Sequence, residues 1–176
     1  VVIYILTIDL WTIMHIIIKN NFLFMTKNLN IYVATMTGTA LMVADEIEDF
    51  CKTEGINTNI VEMDALEPKN LEDINAPILI VSSTYGQGDV PDGSKNFYNN
   101  WKSSKISLKH IKYAVFGLGD MTYKDTFAYG GKKFDHLFLE LNANRIGEPF
   151  YHDASDGSLP EEEAVNWFKE KIFKLL

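Results

Sequence analysis

A single cysteine, five prolines and an excess of acid over base restrict this 176-residue chain before any motif is sought. One thiol, Cys51, excludes an intramolecular disulfide and every paired-cysteine zinc or redox motif. A reduced, cytoplasmic setting is the matching expectation. Lys and Arg number 16 against 24 Asp and Glu, a formal charge of −8. A general nucleic-acid binder needs a basic footprint, so no nucleic-acid partner is expected. The acidic balance suits solubility or a basic protein partner. The four histidines, His15, His110, His136 and His152, lack metal-ligand spacing, so no metal centre is expected and each reads as structural or surface. Cys51 lies on a helical stripe and reads as packed core. No residue set has the arrangement of acid–base or nucleophilic catalysis.

What remains is ample for a folded domain: 47% apolar residues, 23% charged, and no low-complexity tract. Residues 1–18, VVIYILTIDLWTIMHIII, are almost wholly apolar, with Asp9 and His15 as interruptions. They lack the basic flank and small-residue cleavage site of a signal peptide. As a membrane span they would carry Asp9 near the middle, at about 2.5–3.5 kcal/mol on insertion scales. The chain opens on Val1, and Met25 stands just ahead of the first convincing strand. The reading is therefore an apolar extension over 1–24, with translation expected to start at Met25, and a domain over 25–176. A membrane anchor and a packed extension are the alternatives, so membrane contact is expected only if the extension is native.

From Asn30 onward, strand-like and helix-like segments alternate. Strands are expected at Asn30–Ala34, Asn57–Met63, Pro77–Ser82, Lys112–Gly117 and Arg145–Phe150. Pro77–Ser82 is a continuous apolar run, as in a parallel strand covered on both faces. Helices are expected up to about Glu54, over Gly93–Ser103, from Phe127 to about Asn142, and from Pro160, where three glutamates occupy the favourable first turn. This alternation predicts an α/β fold with a parallel sheet covered on both sides. Ligands of such sheets bind at the carboxyl ends of strands, where the strand order reverses. That rule selects the loops at Thr35–Ala40, Ser82–Asp92 and Gly117–Phe127, which are also rich in Gly, Ser, Thr and Tyr.

The first loop runs straight into a helix, so its hydroxyls and backbone N–H groups suit an anion. It has no Lys or Arg and no GxxxxGK[ST], which excludes a P-loop; an N-cap with a small-residue turn is the plainer reading. Tyr85 and Tyr123, each beside glycines in the other two loops, suit a planar ring between them. Phosphate at one end and an aromatic slot at the other describe a mononucleotide.

TMTGTA, SSTYGQGD and VFGLGDMTY resemble the three flavin mononucleotide (FMN) loops of the flavodoxin family. The likeness runs from about Asn30 to Leu176 and is strongest to mioC-type flavodoxins and the FMN domains of diflavin reductases. FAYGGKKFD resembles the diflavin F-x-x-x-G-K-x-x-D segment at Phe127, Gly131, Lys132 and Asp135. The resemblance implies a flavodoxin-like, doubly wound, five-stranded parallel sheet in the order 2-1-3-4-5. It implies FMN held at its phosphate by Thr35, Met36, Thr37, Gly38, Thr39 and Ala40. Ser83, Thr84, Tyr85 and Gly86 would line one ring face, and Leu118, Gly119, Asp120 and Tyr123 the other, both tyrosines stacked. Two departures stand out. Tyr123-Lys124-Asp125-Thr126-Phe127 is one residue longer than the usual Y-x-x-F, and no long insertion interrupts the fifth strand. An acidic contact expected before the last helix falls on Asp153 or Asp156.

The implied function is a low-potential electron-transfer protein, shuttling single electrons between a flavodoxin- or ferredoxin-reductase-type donor and a basic-surfaced acceptor. Peptide reversal at Gly86 would stabilise the one-electron state. Asp89, Asp92, Asp120 and Asp125, with Asp45, Glu46, Glu48 and Asp49, would form the docking face, unless they are an ordinary solvated surface. A flavodoxin-like NAD(P)H:quinone oxidoreductase is the alternative, although no nicotinamide signature is present. A non-redox binding module is a further one. A phospho-receiver domain would need aspartates where Thr35 and Ser82 stand.

Overall fold

The computed structural model describes residues 27–176, apart from residues 72 and 105. The apolar extension over 1–24 and the expected start at Met25 lie outside the described residues. Four strands appear where the apolar runs place them: β1 (Lys27–Ala34), β2 (Ile56–Glu62), β3 (Ile78–Ser82) and β4 (Lys112–Gly119). All pair in parallel, in the order β2-β1-β3-β4.

The fifth position differs from the expected single strand over 145–150. It holds two short segments, β5 (Asn144–Arg145) beside Lys112 and Tyr113, and β6 (Phe150–Asp153) beside Phe116–Gly119. Between them, Pro149 has no N–H to give to a ladder and Gly147 turns at φ 69°. The sheet therefore has six strand segments in five lanes, and its last lane ends three residues later than expected, at Asp153.

Helices cover both faces: α1 (Thr39–Thr53), α2 (Lys95–Ser104), α3 (Tyr129–Glu140) and α4 (Pro160–Trp167). A short 3₁₀ turn at Asp92–Ser94 delays α2 beyond Gly93, and the left-handed Ala128 delays α3 beyond Phe127. A π turn over Phe168–Ile172 extends the last helix. Successive strand side chains point to opposite faces, and the core divides accordingly. Leu29, Ile31, Val33, Leu79, Val81 and Phe116 pack with Val43, Ile47 and Cys51 of α1 and Ala164 and Trp167 of α4. Tyr32, Ile78, Ile80, Tyr113 and Val115 pack on the other side with Phe97 and Trp101 of α2 and Phe134 and Phe138 of α3. Among the described residues, no helix is long and apolar enough to cross a membrane. This architecture brings the N-termini of α1 and α4, on one face, to the carboxyl edge of the sheet.

Candidate functional site

A cleft of about 630 Å³ opens at that carboxyl edge, within the usual range for small-ligand sites. The first loop contributes Thr37 and Thr39 to its wall. Their hydroxyl oxygens lie 3.4 Å apart. The Gly38 carbonyl accepts from the N–H groups of Leu41 and Met42, at 3.0 Å each. The N–H groups of Thr39 and Ala40, first in α1, have no acceptor among the described residues. Such a cluster of free donors at a helix N-terminus favours an anion. The rest of the loop is scaffolding. The Thr35 hydroxyl accepts from the Gly38 N–H at 3.0 Å, Ala40 is fully buried, and Met36 faces outward.

Ser83, Thr84 and Gly86 carry the wall across β3. Tyr85 and Asp89 exchange two backbone hydrogen bonds, of 2.9 and 2.7 Å, that close the second loop. Gly86 sits inside this loop at φ 54°, with open space where a side chain would project. The ring of Tyr85 is 46% exposed and does not line the cleft. Lys133 pairs with Asp89 at 2.7 Å and holds its carboxyl below the usual range.

Thr84 ties three elements together. Its hydroxyl donates to the Leu118 carbonyl at 2.9 Å and accepts from the Gly130 N–H at 3.1 Å. The site loops after β3 and β4 are thereby fastened to the start of α3. Gly130 is what permits the approach: a Cβ there would meet the Ser83 carbonyl oxygen at 2.1 Å. The hydroxyl of Thr84 is thus committed to the framework.

The third loop brings Leu118, Gly119, Asp120 and Tyr123 to the cleft. The chain leaves helical geometry at Tyr123 and Lys124, which is how it accommodates its extra residue. Tyr123 is 68% exposed, at the rim. Asp153 accepts the Met121 N–H at 2.7 Å and the Ser155 N–H at 3.0 Å, and the first of these bonds chiefly lowers its carboxyl pKa. Asp153 therefore braces the third loop, and Asp156 caps Ser158 in the same way. Lys132 donates to the Phe127 carbonyl at 2.7 Å with its ammonium over the rings of Phe127, Tyr129 and Tyr151, 5.0 to 5.5 Å from their centroids.

Thr126, inside the third selected loop, and His152, Ala154, Ser158 and Pro160, outside all three, also line the cleft, and none was named as a binding residue. All but Thr126 lie at or beyond the end of β6. The strand-end rule would have selected them had the fifth strand been placed to end at Asp153 instead of Phe150. His152 is only 2% exposed, with Nδ1 2.8 Å from a Glu163 carboxylate oxygen.

Of the acids expected to face a partner, Asp89, Asp92, Glu48 and Asp49 pair with lysines. Asp45 and Glu46 instead border a groove between α1 and α4, with Glu161, Glu162 and the apolar side chains of Met42 and Leu159.

The matching family model is that of flavodoxin, over residues 31–168. Flavodoxin YqcA of Escherichia coli is 36% identical over 142 residues, which is 81% of this chain and 94% of that protein. The sulfite reductase [NADPH] flavoprotein alpha-component of Zymomonas mobilis subsp. mobilis is 33% identical over 144 residues, 81% of this chain but 23% of that longer protein. A cysteine-to-alanine mutant of flavodoxin from Pseudomonas aeruginosa superposes with a TM-score of 0.71 at 28% identity, covering 81% of this chain and 95% of its own.

Proposed function

This chain belongs to the flavodoxin family, and on that premise we propose that it is an FMN-dependent electron carrier serving a reductase-type donor and a basic-surfaced redox acceptor. FMN supplies the electron-accepting chemistry when bound; the protein holds it and sets its potential. The observation that carries this reading is the meeting of three strand-end loops in one cleft, which joins α1 N–H groups without an acceptor among the described residues to a wall that includes Gly86 and Gly119.

The residues present fit the cofactor. Thr37 and Thr39, with the α1 N–H groups, receive the phosphate without a metal or a P-loop lysine, while Thr35, Met36, Gly38 and Ala40 shape that loop. Ser83, Thr84 and Gly86 border one side of the ring position, and Leu118, Gly119, Asp120 and Tyr123 the other. Tyr85, turned outward, is not among the residues that border the ring position. The Asp120 carboxylate beside the cleft opposes added negative charge, which favours a low potential. The unpaired acids along α1 and α4 give a basic partner its landing surface. A cytoplasmic setting accords with the single, buried thiol of Cys51.

Binding of one equivalent of FMN by the flavin-stripped protein, followed by quenching of flavin fluorescence, tests this reading. Saturation at one FMN per chain is expected; absence of binding contradicts it.

A further inference from the structure

Among the described residues, His152 is the one lining the cleft whose side chain is able to carry a positive charge. We propose that His152, oriented by Glu163, is the counter-cation for the phosphate of the bound flavin nucleotide, so that this chain discriminates phosphorylated from unphosphorylated flavin in a pH-dependent manner. This inference rests on the FMN reading above.

The geometry begins with β6. Phe150 and His152 are two residues apart on one strand and so share a sheet face. Phe150 packs there against Phe116 and Trp167. His152 is thereby directed into the layer where α1 and α4 lie side by side. Both helices begin at the cleft, α1 with Thr39 and α4 with Pro160, and both residues line it. His152 lines the same wall. Its Nδ1 is held by Glu163 at 2.8 Å and approached by the Ser158 hydroxyl at 3.5 Å. A carboxylate on Nδ1 demands a proton there, which leaves Nε2 as the variable position. Nε2 has no hydrogen-bond partner among the described residues, and His152 lines the cleft. A neutral ring offers a lone pair at Nε2, whereas a protonated ring offers an N–H and a charge.

The surroundings are otherwise hostile to an anion. Asp120 lines the cleft, Asp153 and Asp156 flank His152, and the whole chain carries −8. The first loop supplies hydroxyls and amides only, with no Lys or Arg. From β4, the partner of His152 is the uncharged Leu118, and α1 presents the uncharged Thr37 and Thr39. A phosphate monoester carries between one and two negative charges near neutrality. Protonated His152 answers that charge from inside the protein, and Glu163 keeps the ring facing it. Glu163 is thus a positioning residue and His152 a binding residue.

The test compares FMN with riboflavin, which lacks the phosphate, by fluorescence titration of the flavin-stripped chain at pH 6 and pH 8.5. Phosphate ionisation alone raises the preference for FMN with pH, so the comparison is with His152→Gln, which keeps a polar side chain without the charge. At pH 6, His152→Gln is expected to weaken FMN binding about tenfold, the scale of a charge-assisted hydrogen bond. The loss shrinks at pH 8.5, and riboflavin binding falls much less than FMN binding; circular dichroism shows that the variant is folded. Glu163→Gln is expected to reproduce part of the FMN loss while sparing riboflavin. Equal FMN and riboflavin losses in His152→Gln, or a loss independent of pH, would overturn the proposal. Failure of the unaltered chain to bind FMN at all would overturn the FMN reading with it.

Discussion

Gly86 and Thr84, two residues apart, show how differently neighbouring site residues act. At Gly86 the backbone is left-handed and the space beyond it empty, so an alanine meets no atom and costs only its backbone preference, about 1–2 kcal/mol. Gly86→Ala is therefore expected to fold with a modest drop in the urea midpoint. If its peptide reverses on reduction, the variant also narrows the gap between the first and second electron potentials; an unchanged gap would remove that role. Thr84 is the reverse case, a side chain committed to structure. Thr84→Val strips the Gly130 N–H of its acceptor and should destabilise by about 1–3 kcal/mol. Thr84→Ser, which keeps the oxygen, should recover most of that loss in the same denaturation experiment. Equal losses in both variants would show that the methyl group, and not the hydroxyl, matters here.

At the scale of elements, the site is held by links between loops more than by any one loop. Thr84 joins the second loop to β4 and α3, while Asp153 joins the third loop to the segment before α4. Asp153 is half-buried, and its hydrogen bond from the Met121 N–H lowers its folded pKa below that of an unfolded aspartate. A group depressed in this way stabilises the fold above the unfolded value of about 3.9 and loses that contribution as pH falls through the folded one. Asp153→Ala should therefore be less stable than the unaltered chain at pH 7, with the two converging toward pH 3. A difference that persists in acid would place the effect elsewhere.

The elements were also where sequence reasoning succeeded and failed most visibly. β3 and β4 were legible because a parallel strand covered on both faces must be apolar at every position, and Ile78–Val81 and Tyr113–Phe116 are. The site loops followed from those strand ends. The fifth strand was expected, but its split and its end were not legible, because the break between β5 and β6 depends on how residues 146–149 pass the edge of β4. Misplacing that end concealed His152, Ser158 and Pro160, whose relation to the cleft is tertiary. The outward ring of Tyr85 was equally hidden, since its direction follows from backbone bonds to Asp89 four residues on. Thr84 was recognised as a site residue, but no local pattern reveals that its hydroxyl reaches Leu118 and Gly130.

On the scale of the whole molecule, a doubly wound sheet supplies a rigid edge, and a charge of −8 surrounds the cleft that sits on it. Four acids without an ion pair among the described residues, Asp45, Glu46, Glu161 and Glu162, border the groove between α1 and α4. Electron transfer to a basic acceptor should slow as ionic strength rises. Asp45→Lys with Glu46→Lys should slow it further at low salt and flatten that dependence, read by stopped-flow kinetics. A rate indifferent to both salt and charge reversal would move docking to another face.

A potentiometric titration of the FMN-loaded protein under anaerobic conditions tests whether it carries electrons singly. Two separate one-electron potentials are predicted, the second well below the first because a further negative charge must enter beside Asp120. A single two-electron step would contradict the carrier reading and point to a two-electron oxidoreductase built on the same fold.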